Sequence, residues 1–96
     1  NLTNANFTSA ELNGANLSLS RGKANFEGAN LTGANLSGAN LRGSMVNANL
    51  TGANLTGANL KEADLSGVNL TEANLTNANL PKLDKETGGK DPGQEN

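Results

Sequence analysis

The chain from residue 48 to residue 60 reads Ala48-Asn49-Leu50-Thr51-Gly52-Ala53-Asn54-Leu55-Thr56-Gly57-Ala58-Asn59-Leu60. This stretch repeats a five-residue unit made of a small residue, Asn, Leu, a polar residue and Gly. The rest of the chain up to Leu80 varies the same unit. We call the Leu position the centre of the unit. A repeat of this kind indicates the architecture more strongly than any local propensity does.

The centres of the units recur with a spacing of five, apart from two longer steps, and every one of them is Leu or Phe. Ala stands two residues before each centre from Phe7 onward, except that Val68 precedes Leu70. The centres are Leu2, Phe7, Leu12, Leu17, Phe26, Leu31, Leu36, Leu41, Leu50, Leu55, Leu60, Leu65, Leu70, Leu75 and Leu80.

A period of five excludes both an α-helix and a flat sheet. Five helical residues rotate by about 500°, which would spread the leucines over every face of a helix. An odd spacing on a straight strand would send them to opposite faces. Within one unit, Ala and Leu are two residues apart, so both can point inward while Asn points outward. The following Thr-Gly or Ser-Gly pair then turns the chain, with Gly at the positive φ of a type II turn. Four such corners predict a four-sided coil.

Several units carry a resemblance to a known family. Residues 29–33 (Ala-Asn-Leu-Thr-Gly), 53–57 (Ala-Asn-Leu-Thr-Gly) and 63–67 (Ala-Asp-Leu-Ser-Gly) resemble the pentapeptide-repeat family, and the resemblance covers about residues 1–80. It implies an all-β fold, the right-handed quadrilateral parallel β-helix, a solenoid here with about four coils of four pentapeptides. It implies no common activity, because some members inhibit or protect DNA gyrase and many others have no assigned role. By analogy with the family, a soluble chain of cyanobacterial or plastid origin, including the thylakoid lumen, is expected.

Two nine-residue steps interrupt the spacing, one before Phe26 and one before Leu50. If each step is two units minus one residue, the centres form four columns, one on each side of the coil. One column contains both phenylalanines, followed by Met45 or Val46. Another needs an inward residue between Leu2 and Leu41, for which we expect Leu19 or Gly22, because burying the unpaired charge of Arg21 is too costly.

The same count brings the bases of the repeat region together. If Gly22 is the inward residue, Lys23, Arg42 and Lys61 follow successive centres of one column, and Arg21 lies close to them. Neighbouring strands are about 4.8 Å apart, so these side chains are predicted to form a ridge along one edge. The functional interpretation is a cationic site for an acidic partner. The structural alternative is a solvated edge whose long stems shield the core.

The outward positions also form regular columns. Asn16, Asn35, Asn54 and Asn74 are expected to stack into a ladder whose amides hydrogen-bond from coil to coil. Columns of Thr, such as Thr32 and Thr51, suggest an ice-binding surface. A single hydroxyl per corner, however, does not form the flat two-column array that ice binding needs.

This sequence contains few candidate catalytic residues. The chain has no His, Cys, Tyr or Trp, so imidazole and thiol catalysis and the common metal sites are excluded. The carboxylates are scattered, and Gly recurs only as part of the corners. We therefore expect no enzyme, no catalytic residue, no cofactor and no metal.

Two non-enzymatic functions remain. The first is a structural or protein-interaction module that presents flat, rigid faces to a protein partner, or serves as a subunit of a larger assembly. The alternative is a DNA-mimicking regulator of a type II topoisomerase. Residues 1–80 contain five acids against four bases, and four coils give a rod only about 20 Å long. Both values oppose mimicry of a strongly charged duplex. We therefore expect a protein partner, no nucleic acid and, without a long apolar run, no membrane insertion.

Both ends of the repeat region are predicted to be open. Leu2 is already a centre, and stacked repeats usually need a cap. We expect that a cap has been removed or that the end contacts a partner or another copy, end to end. After Leu80 the pattern stops, and residues 81–96 have the charged, Gly-containing composition of a flexible tail, although Leu83 can also cover the last coil. The predicted domains are therefore residues 1–80 and 81–96.

Overall fold

The computed structural model describes residues 1–81, which form stacked coils of parallel β-structure. Strand β1 spans Arg21–Gly22 and strand β2 spans Asn40–Leu41, and the two pair in parallel. The other sides of the coils meet through isolated parallel bridges. The predicted four-sided solenoid is confirmed. The predicted tail beyond Pro81, including Leu83, lies outside the described residues, so the domain boundary at residue 80 stays a prediction.

Neighbouring coils are held together by backbone hydrogen bonds that run in both directions. Leu12 N–H donates to the carbonyl of Asn30 at 2.8 Å, and Asn30 N–H donates to the carbonyl of Ala10 at 2.9 Å. The centre of a unit therefore donates to the next coil, and the residue before it donates to the preceding coil. The bridges pair Asn6 with Asn25 and, later in the chain, Asn54 with Asn74. Each coil thus contains 19 or 20 residues.

The corners are closed by hydrogen bonds within single turns. At one regular corner, Ala53 N–H donates to the carbonyl of Leu50 at 3.0 Å, and Thr51 and Gly52 form the turn between them. Gly52 has a φ of +68°, which a residue without Cβ adopts at no steric cost. The predicted Thr-Gly corner is confirmed. Other residues also adopt positive φ without being glycine, namely Asn4, Ser9, Leu19, Asn47, Glu72 and Asn77.

The core consists of the centres and the small residues that stand two positions before them. In the inner coils, Leu31, Leu50 and Leu60 are completely buried, and each such leucine contributes about 1.5–3 kcal/mol. Phe7 and Phe26 stack with ring centroids 4.9 Å apart and 8° between the ring planes. This contact confirms the prediction that the two phenylalanines share a column.

Both nine-residue steps lose their residue at the same corner of the solenoid. Gly22 is the inward residue of its unit and pairs with Leu41, and Phe26 follows it only four residues later. In the next coil, Met45 follows Leu41 by four residues, and its N–H donates to the carbonyl of Asp64 at 2.8 Å. The two shortened corners therefore lie one above the other.

The structure decides between the alternatives that the spacing left open. Gly22 is buried, whereas Leu19 is 79% exposed, so the expectation that Leu19 is inward is wrong. Leu19 lies two residues after Leu17, at the position that Gly takes in a regular corner. Met45 is 1% exposed and Val46 is only half-buried. Val46 as the inward residue is therefore also wrong.

The Asn side chains hydrogen-bond within their own coil. The Oδ1 atom of Asn54 accepts hydrogen bonds from the backbone N–H of Thr56 at 3.0 Å and from its hydroxyl at 2.7 Å. The expected amide ladder between coils is therefore wrong for the Oδ1 atoms, because the turn offers two donors at shorter range. Within residues 1–81, the side-chain bond between coils joins Asn30 Nδ2 to Glu11 Oε1 at 3.1 Å.

Candidate interaction surface

The four bases of residues 1–81 lie on one side of the solenoid and along one of its edges. Arg21 is the outward residue of β1 and lies opposite Asn40. Lys23, Arg42 and Lys61 lie at the corner that follows, in three successive coils, and all four bases are exposed. We call the three corner residues the basic ridge, and the side that carries Arg21, Asn40 and Asn59 the Arg21 face.

The shortened corners determine where the basic ridge lies. With one residue fewer, the chain leaves Gly22 and reaches Ala24 through Lys23 alone, so Lys23 is the outermost residue of this turn. Arg42 N–H donates to the carbonyl of Gly22 at 3.2 Å, which joins the two short corners directly. Gly43 is buried above Ala24, and a Cβ at Gly43 would collide with the Ala24 carbonyl oxygen. The absence of a side chain at residue 43 therefore permits the close stacking of the ridge.

Shallow grooves flank the basic ridge. A groove of about 300 Å³ on the Arg21 face reaches from Asn1 and Thr3 to Arg42. The neighbouring groove, of about 260 Å³, continues to Lys61 and Glu62. On the other side of the corner, a groove of about 430 Å³ is lined by Lys23, the adjoining Asn and Ala residues, Gly43 and Ser44. The bases therefore project between depressions and not from a flat wall.

The side chains around the basic ridge present mainly hydrogen-bond donors. In the part of the chain that the structure describes, no side-chain hydrogen bond uses the nitrogens of Arg21, Lys23, Arg42 or Lys61. The Oδ1 atom of Asn59 accepts the backbone N–H of Lys61 at 3.0 Å, so the Nδ2 donor of Asn59 is left to face outward. Such a surface suits an acceptor-rich anionic ligand.

One acidic group near this corner has a perturbed pKa. The Ser66 hydroxyl donates to Asp64 Oδ1 at 2.7 Å and the Ser66 backbone N–H donates to it at 3.0 Å. These bonds hold the pKa of Asp64 below its ordinary value, with the hydroxyl bond contributing most and burial opposing weakly. Asp64 therefore stays ionised, and its Oδ1 atom accepts hydrogen bonds within its own turn.

Leu19 lies at the opposite edge of the Arg21 face. It is the only large hydrophobic residue of 1–81 that is exposed, and its φ of +63° lies in the left-handed region. That conformation costs a non-glycine residue about 1–2 kcal/mol. An ideal Cβ placed on Gly38 would lie 2.8 Å from Leu19 Cδ2, so the leucine side chain lies over the glycine corner of the next coil.

Sequence reasoning singled out Leu19 as one of two candidates for the interior position, the other being Gly22. The signal that locates it correctly is its distance of two residues from Leu17, which is the corner position in every regular unit. Of the other residues that were singled out, Gly22 lies inward next to Arg21, whereas Met45 and Val46 lie beyond the ridge corner. The structure therefore brings Arg21, the basic ridge and Leu19 to the borders of one face.

Two other kinds of functional feature are absent from residues 1–81. No group of three or more Asp and Glu side chains is arranged to hold a metal ion in this region. The same region contains no helix with the length and apolarity that a membrane crossing requires.

The fold and the repeat have counterparts among known proteins. A family model for pentapeptide repeats matches residues 1–21, 22–44 and 44–80, with eight copies. No curated protein matches the chain. The crystal structure of alr5209, a pentapeptide repeat protein from Nostoc PCC 7120, is 40% identical with a TM-score of 0.66, and the match covers 80% of this chain and 65% of alr5209.

Two further solved structures are similar over most of the chain. HetL from Nostoc, described as involved in heterocyst differentiation regulation, is 35% identical over 79% of this chain and 40% of HetL, with a TM-score of 0.47. A pentapeptide repeat protein of the Arabidopsis thaliana thylakoid lumen is 27% identical, with a TM-score of 0.38, over 100% of this chain and 82% of that protein. The chain thus spans less than two thirds of each Nostoc protein. It belongs to the pentapeptide-repeat family, and its described part is a right-handed quadrilateral β-helix.

Proposed function

We propose that this chain is a non-enzymatic protein-interaction module that uses the Arg21 face and the basic ridge to bind a protein partner. The observation that supports this function most directly is the position of the bases, because all four of those in residues 1–81 border one side of the solenoid. Random placement over four sides and four corners would distribute them. The interior offers no competing site, since the inner coils are filled by buried Leu and Ala.

The architecture suits recognition by a preformed surface. Every side of a coil is fixed to its neighbours by backbone hydrogen bonds, so side chains on one face have little freedom to move apart. Binding to such a surface costs little ordering of the backbone, which favours affinity. By analogy with the family, we place this module in a cyanobacterial or plastid setting.

The alternative function, mimicry of DNA toward a topoisomerase, has less support. It needs a surface with about one negative charge per 1.7 Å of length. Residues 1–81 instead contain five acids and four bases, and the bases occupy a continuous edge. The basic ridge would repel a protein surface that has evolved to bind DNA.

The proposal is tested by capture of partners from an extract of the source organism. Immobilised wild-type chain is compared with Arg42→Gln/Lys61→Gln, which removes two positive charges from the ridge. The control is Thr51→Glu/Thr71→Glu, which changes the net charge equally at the diagonally opposite corner.

We expect a stoichiometric protein partner on the wild type and on the control, and its loss on the ridge variant, identified by quantitative mass spectrometry. Equal recovery on all three chains would contradict the assignment of the ridge. Recovery of no stoichiometric partner by the wild type would contradict the proposed function itself.

A further inference from the structure

We infer that the Arg21 face binds an extended acidic peptide segment in which one apolar side chain stands a few residues from a group of carboxylates. This inference rests on the proposed function and names the chemistry of the partner. Leu19 contacts the apolar side chain of the segment, and Arg21 together with the basic ridge binds its carboxylates.

Leu19 has the properties of an apolar anchor. Its side chain is 79% exposed, although the same corner is formed by Gly38 and Gly57 in the next two coils. Both glycines adopt a φ of +68°, which a residue without Cβ adopts at no steric cost, and the corner of the last coil is formed by Asn77, a residue type that tolerates this conformation. A leucine held there against its conformational preference and in contact with water contributes nothing to the core. Local strain of this kind is concentrated at functional sites.

The glycines above Leu19 leave the adjoining surface free. Gly38 lies directly beside the leucine side chain, and an ideal Cβ on Gly57 would meet no atom within 4 Å. Leu19 therefore lies at the end of a strip of bare backbone along the edge of the Arg21 face. An apolar side chain of a partner can pack against both the leucine and this strip.

The charged groups lie across the same face at a distance that an extended segment spans. Lys23 follows Leu19 by four positions along one side of the coil, which corresponds to about 13 Å at the rise of a strand. Arg21 lies between them, and Arg42 and Lys61 follow at intervals of about 4.8 Å along the solenoid axis. The partner therefore needs carboxylates about four extended residues from its apolar side chain.

The composition of the face favours a peptide over a nucleic acid. Single-stranded nucleic acids bind by base stacking on exposed aromatic rings, and the two phenylalanines of this chain stack on each other in the core column. An exposed leucine also has no role in phosphate recognition. Discrete carboxylates with an apolar neighbour fit these groups better.

The experiment uses fluorescence anisotropy at low salt with the full chain and labelled synthetic peptides of about ten residues, enough to cross the face. The first peptide contains one Leu and, four residues later, three Glu. The second replaces that Leu by Ala, and the third replaces each Glu by Gln. A single-stranded DNA oligonucleotide of similar length is the nucleic-acid probe.

The decisive variant is Leu19→Gly, which introduces the residue that the corner accepts without strain and so keeps the fold. We expect it to weaken the Leu-Glu peptide about tenfold, as loss of an anchor residue does, and to leave the Ala-Glu peptide unchanged. Arg21→Gln/Arg42→Gln should weaken both Glu-containing peptides. The Gln peptide should bind neither variant nor wild type, and added salt should weaken the Glu peptides.

The inference is overturned if Leu19→Gly binds the Leu-Glu and Ala-Glu peptides as the wild type does, or if the oligonucleotide binds more tightly than either. Failure of all peptides to bind, while a protein from the extract is still captured through the ridge, overturns the acidic-peptide chemistry and leaves the proposed function standing. If the wild type captures no protein from the extract but still binds the Leu-Glu peptide, the proposed function is overturned and the acidic-peptide chemistry stands.

Discussion

At the scale of single residues, the Asn side chain of the repeat forms its hydrogen bonds within its own turn. Its Oδ1 atom accepts two hydrogen bonds from the residue two positions later in unit after unit, as Asn30 does from Thr32 at 3.1 Å and 2.7 Å. This is the bonding that makes Asn a turn residue. Asn and a following Thr or Ser therefore form one unit that specifies the entry to each corner.

Replacing Asn54 by Ala should lower the free energy of unfolding by about 1–2 kcal/mol, because the N–H and the hydroxyl of Thr56 then lose the Oδ1 atom that accepts their hydrogen bonds. Urea unfolding followed by circular dichroism measures the loss. Asn40→Ala is the matched control, since the Oδ1 atom of Asn40 accepts no hydrogen bond within residues 1–81 and Arg42 N–H donates to Gly22 instead. Equal destabilisation by the two substitutions would show that these turn bonds do not stabilise the fold.

At the scale of structural elements, the corners differ in what they require of a residue. Nearly all corners of regular length contain a residue at positive φ, and several of these residues are not glycine. The two short corners need close approach instead, because Gly43 packs on the carbonyl of Ala24. A glycine in this solenoid is therefore required either because of its positive φ or because a Cβ would collide with a neighbouring coil. Substitution by Ala at one glycine of each kind separates the two effects.

Gly43→Ala should destabilise the chain by about 3 kcal/mol, at the upper end of overpacking, because the obstructing atom belongs to the backbone and cannot rotate away. Gly52→Ala is the matched control. Its Cβ would meet nothing within 4 Å, so only its φ of +68° is unfavourable, at a cost of about 1–2 kcal/mol. Thermal and urea unfolding of both variants measure the difference. A smaller loss at residue 43 than at residue 52 would contradict the steric account.

At the scale of the whole molecule, charge and length separate this chain from a mimic of duplex DNA. The coils stack at about 4.8 Å, so the described part is a rod of about 20 Å, with nearly balanced acids and bases. We expect the chain at micromolar concentration neither to inhibit supercoiling by DNA gyrase nor to protect the enzyme from a quinolone. A strongly acidic member of the family serves as the positive control in the same gel assay. Inhibition by this chain would restore the topoisomerase alternative.

The columns of the core follow from sequence alone, because their spacing and their residue types agree. The choice between Leu19 and Gly22 does not, since hydrophobicity favours Leu19 for the interior. Met45 and Val46 were likewise equivalent by polarity. What decides both cases is the assembled solenoid, in which the register of the coils places both lost residues at one corner. The same register brings the basic ridge together and exposes Leu19.

The backbone hydrogen bonds between coils join residues only 18 to 21 positions apart, from one end of the described chain to the other. No described segment depends on hydrogen bonds to a segment far away in the sequence. The molecule therefore behaves as a linear array in which each coil is stabilised by its nearest neighbours. Folding can then start at any well-packed coil and spread outward. Duplication of one 19-residue coil within such an array lengthens it without disturbing the rest. Copying the coil that contains Arg42 would add one more positive charge to the ridge, so the reach of the binding surface can change by whole coils.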